Sequence, residues 1–153
     1  MMNVRFAHVW ELEAGIPAGK LFEQQGNFPG GFDVSHFIHV WTHNLRSGCG
    51  KIVAAFDERG TFCGALGGTV SETDFSPTKI AMQRFWFALP QHRAAAVGLK
   101  LVAPFEGWAK EQGAKFCVLN QLHSNGQERP SGGYERMGYR KIETRYVKEL
   151  CHS

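Results

Sequence analysis

The stretch Lys79 to Gly113, KIAMQRFWFALPQHRAAAVGLKLVAPFEGWAKEQG, holds the residues whose types and spacing point most directly to chemistry. An apolar, aromatic-rich run from Ile80 to Leu89 has the length of one buried strand. Pro90 stops it, because proline has no N–H to give a sheet ladder. Gln91, His92 and Arg93 form a short basic turn, and the small-residue run Ala94, Ala95, Ala96, Val97, Gly98 opens a helical segment ending at Gly113. Strand, arginine, small residues and helix in that order make an anion cradle. Successive backbone N–H groups can approach a phosphate closely there, and the positive end of the helix faces it.

A second group is His36, His39 and His43, at positions i, i+3 and i+7 of a helix expected over Val34 to Leu45 behind an Asp33 N-cap. The spacing brings all three imidazoles to one side, either as a metal- or substrate-facing patch or as a solvated flank beside Phe37, Val40 and Trp41. No carboxylate or cysteine accompanies them, so no metal site is expected. Cys49, Cys63, Cys117 and Cys151 contain no C-x-x-C pair, and two of them lie in apolar runs where a thiol packs as a small hydrophobe. A reduced, cytoplasmic setting follows as the expectation.

The elements that would position these groups read off in order. Asn3 to Ala7 is a first strand; Pro17 opens a helix running to Gln25; residues 26–31 are a loop. Lys51 to Phe56 and Thr61 to Val70 flank the turn Asp57-Glu58-Arg59-Gly60 as a hairpin. Gly64, Gly67 and Gly68 in its second strand leave room for another backbone or a ligand, or mark a bulge with small-residue packing. After the central strand and helix, Lys115 to Leu122 is a strand, Gly132 to Met137 a short helix closed by Gly138, and Tyr139 to Leu150 a last strand region. Pro104, in the middle of the expected central helix, costs roughly 3 kcal/mol there and predicts a kink helped by Gly107.

With 153 residues, one domain over 1–153 is expected. A net charge of +3 and a pI near 8.7, with scattered Lys and Arg, is too mild to argue for nucleic acid. No signal-peptide block is present, and no run approaches the roughly 20 apolar residues of a membrane span. A P-loop is excluded, since no G-x-x-x-x-G-K-[ST] occurs and the cradle follows the fourth strand.

Ala88-Leu89-Pro90-Gln91-His92 followed by Arg93-Ala94-Ala95-Ala96-Val97-Gly98 resembles the V-x-P-x-x and [QR]-x-x-G-x-[GA] signature of the GNAT superfamily of acyl-CoA-dependent N-acyltransferases, with Ala96 in place of its first glycine. Gly133-Tyr134-Glu135-Arg136-Met137-Gly138-Tyr139 is similar to the family's Y-x-[KR]-x-G-[FY] segment, and the two lie in the family's order about a strand apart. The resemblance implies an α/β (α+β) fold in which a central mixed, mostly antiparallel sheet is flanked by helices, in the order β-α-α-β-β-β-α-β-α-β.

The implied activity is N-acetyl transfer from acetyl-CoA, as co-substrate, to a primary amine of a small molecule or protein, by direct attack. By the same resemblance, backbone groups of Phe87, Ala88 and Leu89 bind the pantetheine and acyl carbonyl on a splayed strand. The Arg93–Gly98 turn, with Ala94, Ala95, Ala96 and Val97, holds the pyrophosphate. Tyr134 is the general acid for the leaving thiolate. Phe28, His36, Trp41 and Trp86 fall on the acceptor groove, and a homodimer is compatible with the family. A base is missing: Lys79 to Pro90 contains no Asp, Glu or His, and Gln83 occupies the nearest position. Glu72, Asp74, His123 or a water are the alternatives, or orientation of an already neutral amine suffices. Two other readings keep the fold: an acyl-CoA- or partner-binding protein without ordinary turnover, and an enzyme modifying a nucleic-acid base.

Overall fold

A computed structural model describes residues 2–24, 29–95, 97–120 and 132–151; the side chains of residues 93–95 and 132 lie outside the description. Asn3–Phe6 (β1), Gly50–Phe56 (β2), Phe62–Glu72 (β3), Lys79–Ala88 (β4) and Phe116–Val118 (β5) form one sheet in sequence order. The first four strands are antiparallel neighbours, and β5 joins β4 in parallel. The β2–β3 hairpin closes where its turn residues demand: the Asp57 carboxylate accepts the N–H groups of Arg59 and Thr61, each at 2.9 Å. Gly60 takes a φ of 80°, which a residue with a Cβ rarely adopts.

Helices Ile16–Gln24 (α1) and Val34–Ser47 (α2) cover one face of the sheet, and Val102–Glu111 (α3) covers the other. Asp33 caps α2, its Oδ1 accepting the His36 N–H at 2.8 Å. β2 is buried on both sides: Ile52, Ala54 and Phe56 pack with Trp41 and Leu12 beneath α2, while Val53 and Ala55 pack with Phe105 and Trp108 beneath α3. An unbroken apolar run, rather than an alternating one, is what two-sided burial requires. Phe105 is wholly buried at the centre of the α3 side, and truncating it to alanine costs about 3–5 kcal/mol. Gly132–Arg136 (α4) ends near Gly138, whose φ is 90°.

Two expectations are corrected. The helix after the cradle does not run from Gly98 with a kink at Pro104. Residues 90–95 and 97–101 form 3-10 turns, and α3 starts only at Val102, which places Pro104 in its first turn. The reason is the proline itself: a longer α-helix would need an N–H at 104 and would press its ring on the Lys100 carbonyl, whereas the first turn requires no intrahelical donor. The last strand is also absent. Residues 140–150 are described and form no strand, and Ile142, Tyr146, Val147 and Leu150 are exposed. Alternation of side chains encodes the two faces of a strand but not a neighbour to take its backbone bonds. No described helix is long and apolar enough to cross a membrane.

Candidate functional site

Strand β4 organises the site, and a bulge decides how. Gly68 pairs with Gln83 and Gly67 with Phe85, so Arg84 is the extra residue and its neighbours change faces. Ala81 and Gln83 before it, and Trp86 and Ala88 after it, look toward α3; Phe85 and Phe87 look toward α1 and α2. Glycines 67 and 68 make this possible. A Cβ on Gly67 would collide with the Phe85 ring on one face, and one on Gly68 with the Phe105 ring on the other. Both readings of this glycine run apply in part: a bulge opposite Gly67 and Gly68, with ring rather than small-residue packing, and close approach of the β4 backbone at Gly64 and Gly68.

Among the described residues the β4–β5 ladder has three pairs, Ile80↔Phe116, Ala81↔Cys117 and Met82↔Val118. Where it stops, Gln83 and Asn120 clasp each other. The Gln83 Oε1 accepts the Asn120 backbone N–H at 2.7 Å, and Asn120 Nδ2 donates to the Gln83 carbonyl at 3.0 Å. Gln83 is 3% exposed and the one buried polar side chain of the described core, so its amide must be paired and is. The residue at the position of the missing base is therefore a bracket that ties Asn120 to β4 just past the described pairs.

Beyond the bracket, Trp86 ties three parts together. Its indole N–H donates to the Gly98 carbonyl at 2.9 Å, and its ring meets the Tyr134 ring edge-on at 5.9 Å between centroids. The Tyr134 hydroxyl lies 3.5 Å from the Asn120 carbonyl, at the outer limit of hydrogen-bond reach. So Gly98, the end of β5 and Tyr134 meet on the α3 side of β4. Leu89 N–H donates to the Cys63 carbonyl at 2.9 Å and its own carbonyl accepts from His92, which engages both of its backbone groups. Since successive backbone groups of a strand point to opposite edges, the Ala88 N–H is turned away from β3. Val97 is completely buried. Ala96 lies outside the described residues, and of Arg93, Ala94 and Ala95 only the backbone, in the 3-10 turn, is described.

On the opposite face of β4 a cavity of about 160 Å3 opens between α1, α2 and the strand. Six rings line it (Phe22, Phe32, Phe37, Trp41, Phe85 and Phe87), together with Glu23 and Arg84. Its wall is tied by ring contacts: Trp41 meets Phe85 edge-on at 5.0 Å, and Phe87 reaches Phe22 at 6.2 Å. Arg84 Nε donates to Thr69 Oγ1 at 3.2 Å, and the Glu23 carboxylate accepts the Phe32 N–H. Of the expected groove residues, Trp41 is in this wall, Trp86 is on the other face of the strand and His36 does not line the cavity. Phe28 lies outside the described residues.

His36, His39 and His43 are all exposed on the outer side of α2, the solvated-flank arrangement, and no group of three possible metal ligands occurs among the described residues. Glu72 and Asp74 are corrected as sources of a base. Glu72 pairs with Lys79 at one end of β4 while Ala88 stands at the other, roughly 30 Å away at strand rise. His123 lies outside the described residues. Tyr139, the last residue of the second motif, is a structural anchor. Its hydroxyl donates to Glu106 Oε2 of α3 at 2.7 Å. Burial, then the Cys117 thiol and the Glu106 carboxylate, hold its phenol far above the usual tyrosine range, so it stays a donor. Trp86 was expected in the acceptor groove and instead links Gly98 to Tyr134, while nothing in the sequence marked Glu23 as a cavity residue.

No family model matches this sequence, and no curated protein matches it. Solved structures do. Glucosamine-6-phosphate N-acetyltransferase from Arabidopsis thaliana superposes with a TM-score of 0.74 over 99% of both chains, at 14% identity. A GNAT family acetyltransferase from Staphylococcus aureus gives 0.68 over 97% of this chain and 98% of its own, at 15% identity. The chain has the GNAT fold. AAC(6')-Iy, solved with a bisubstrate analog, CoA-S-monomethyl-acetylneamine, matches this chain at 0.73 over 99% of both, with 15% identity.

Proposed function

We propose that the chain is an N-acetyltransferase that moves an acetyl group from acetyl-CoA to a primary amine by direct attack. The observation that carries the proposal is the meeting, on one side of the β4 end, of the 97–101 turn, Trp86, Tyr134 and Asn120, with a cavity behind the same strand end. The similar structures are acetyltransferases by name, and one was solved with a CoA conjugate, which supports the reading.

In this mechanism the pyrophosphate lies on the backbone of the Arg93–Gly98 turn and the pantetheine runs into the gap beside Phe87 and Ala88. The neutral amine, held in the aromatic cavity, attacks the thioester carbonyl carbon. Its oxygen becomes an oxyanion stabilised by backbone N–H on β4. Collapse expels the CoA thiolate, and the Tyr134 hydroxyl supplies its proton. The attacking nitrogen gives up its extra proton to solvent at the cavity mouth. Gln83 cannot take it, because its amide has no basic site and is bound to Asn120. Positioning of the amine then provides much of the rate.

Thiol release from acetyl-CoA across a panel of amines, with calorimetry of CoA binding, tests this. Tyr134→Phe lowers kcat by about 10²-fold while acetyl-CoA affinity stays within about threefold. Arg93→Ala weakens acetyl-CoA binding. Absence of any heat with CoA would sink the proposal. Heat without thiol release from any amine would favour the second reading, a CoA-binding protein without turnover, for which Gln83 in place of a carboxylate is the motivating residue.

A further inference from the structure

We infer that the acceptor is a primary amine carried on a flat apolar body about one aromatic ring in size, with Glu23 receiving its ammonium group on binding. This rests on the acetyl-transfer reading and adds the class of acceptor. Size and lining argue for it. An apolar cavity near 150 Å3 accommodates a benzene ring, and this one holds about 160 Å3. Phe37, Trp41, Phe85 and Phe87 line it with aromatic rings in contact with one another, which suits an aromatic guest stacked or edge-on.

Polar partners are few. Among the described lining residues only Glu23 and Arg84 carry charge, and both are exposed at the rim. Arg84 already donates through Nε to Thr69. A polyhydroxylated amine such as an amino sugar would bury hydroxyls against rings that cannot bond them. One added hydroxyl in an apolar pocket is worth about 10² in discrimination, and several multiply it. Glu23, the one carboxylate among those lining residues, has one of its roughly four acceptor positions taken by the Phe32 N–H. The remaining positions can take an ammonium, with the neighbouring ring faces reinforcing the cation. The bound ammonium releases a proton to solvent before the nitrogen attacks.

The test is steady-state thiol release from acetyl-CoA by the full chain with 2-phenylethylamine, cyclohexylmethylamine and glucosamine as acceptors. We expect kcat/KM for 2-phenylethylamine to exceed that for glucosamine by at least 10²-fold, with cyclohexylmethylamine between them. Glu23→Gln keeps an acceptor for the Phe32 N–H and leaves acetyl-CoA affinity unchanged. It raises KM for 2-phenylethylamine threefold to tenfold, and Glu23→Asp recovers part of the loss. Glucosamine turned over as well as or better than 2-phenylethylamine would overturn this inference and leave acetyl transfer standing. Thiol release with none of the amines, together with no CoA binding, would overturn both.

Discussion

Asn120 and Gln83 allow a quantitative test of how the end of β5 is tied to β4. Gln83→Leu removes the acceptor for the Asn120 N–H in a position only 3% exposed. Leaving that donor unmatched costs about 1–3 kcal/mol. For a chain of this length about 2 kcal/mol lowers Tm by roughly 4–8 °C. Asn120→Ala removes the second bond, Nδ2 to the Gln83 carbonyl at 3.0 Å, worth about 1 kcal/mol. If the two bonds form one bracket, losing the first frees the end of β5 and the second bond goes with it. The double variant is then scarcely less stable than Gln83→Leu alone, a coupling of about 1 kcal/mol. Urea unfolding of the four proteins measures it. Additivity within about 0.5 kcal/mol would refute the bracket, because the two bonds would then be independent. The same variants carry a functional signature. The Tyr134 hydroxyl sits beside the Asn120 carbonyl, so kcat for acetyl transfer falls further than acetyl-CoA affinity does.

Other outcomes follow from single sites. Arg5 grips the Glu11 carboxylate with two bonds of 2.8 and 2.7 Å, helped by the His8 N–H, and the Glu11 pKa is lowered from 4.5 to about 2. A depressed carboxylate pKa stabilises the fold above about pH 4.5, and the contribution is lost as pH falls toward 2. Because the Arg5 side chain is 38% exposed, screening holds this to roughly 1 kcal/mol, so the wild type exceeds Glu11→Gln by that amount at pH 7 and matches it near pH 2 by urea unfolding. Pro104→Ala changes stability by less than about 0.5 kcal/mol, since a first-turn proline carries no broken bond; a mid-helix proline would instead yield a gain of about 3 kcal/mol. Trp86→Phe keeps a ring against Tyr134 but leaves the Gly98 carbonyl without its donor, and it weakens acetyl-CoA binding severalfold by calorimetry.

The candidate site was legible where local rules govern it. Pro90 ended β4 within two residues of the expected place, and Asp33 capped α2 as read. The cradle with its neighbouring Tyr134 motif identified the end of the strand around which the chemistry is proposed. Its weak points in sequence had different fates. Gln83 was seen as an absence of base; the fold makes it a structural bracket. Glu72 and Asp74 were near in sequence to β4 but stand at its far end, because an antiparallel hairpin carries its turn away from both outer ends of the strands.

What the amino-acid order determined by itself is the set of strands and helices through β5, the turn at Asp57–Gly60 and the polarity of α2. Each depends on neighbours within about one turn or one pleat, where propensity, capping and period act directly. Only the tertiary structure decided that β4 carries a bulge at Arg84 and thereby sends Phe85 and Phe87 into the cavity and Trp86 toward the cradle. That phase change depends on Gly67 and Gly68 of β3 yielding space to two rings on opposite faces, which no count along β4 reveals. It also decided where α3 begins, and that residues 140–150, strand-like in pattern, take no place in the sheet. Pairing is a property of two segments, and one sequence window contains only one of them.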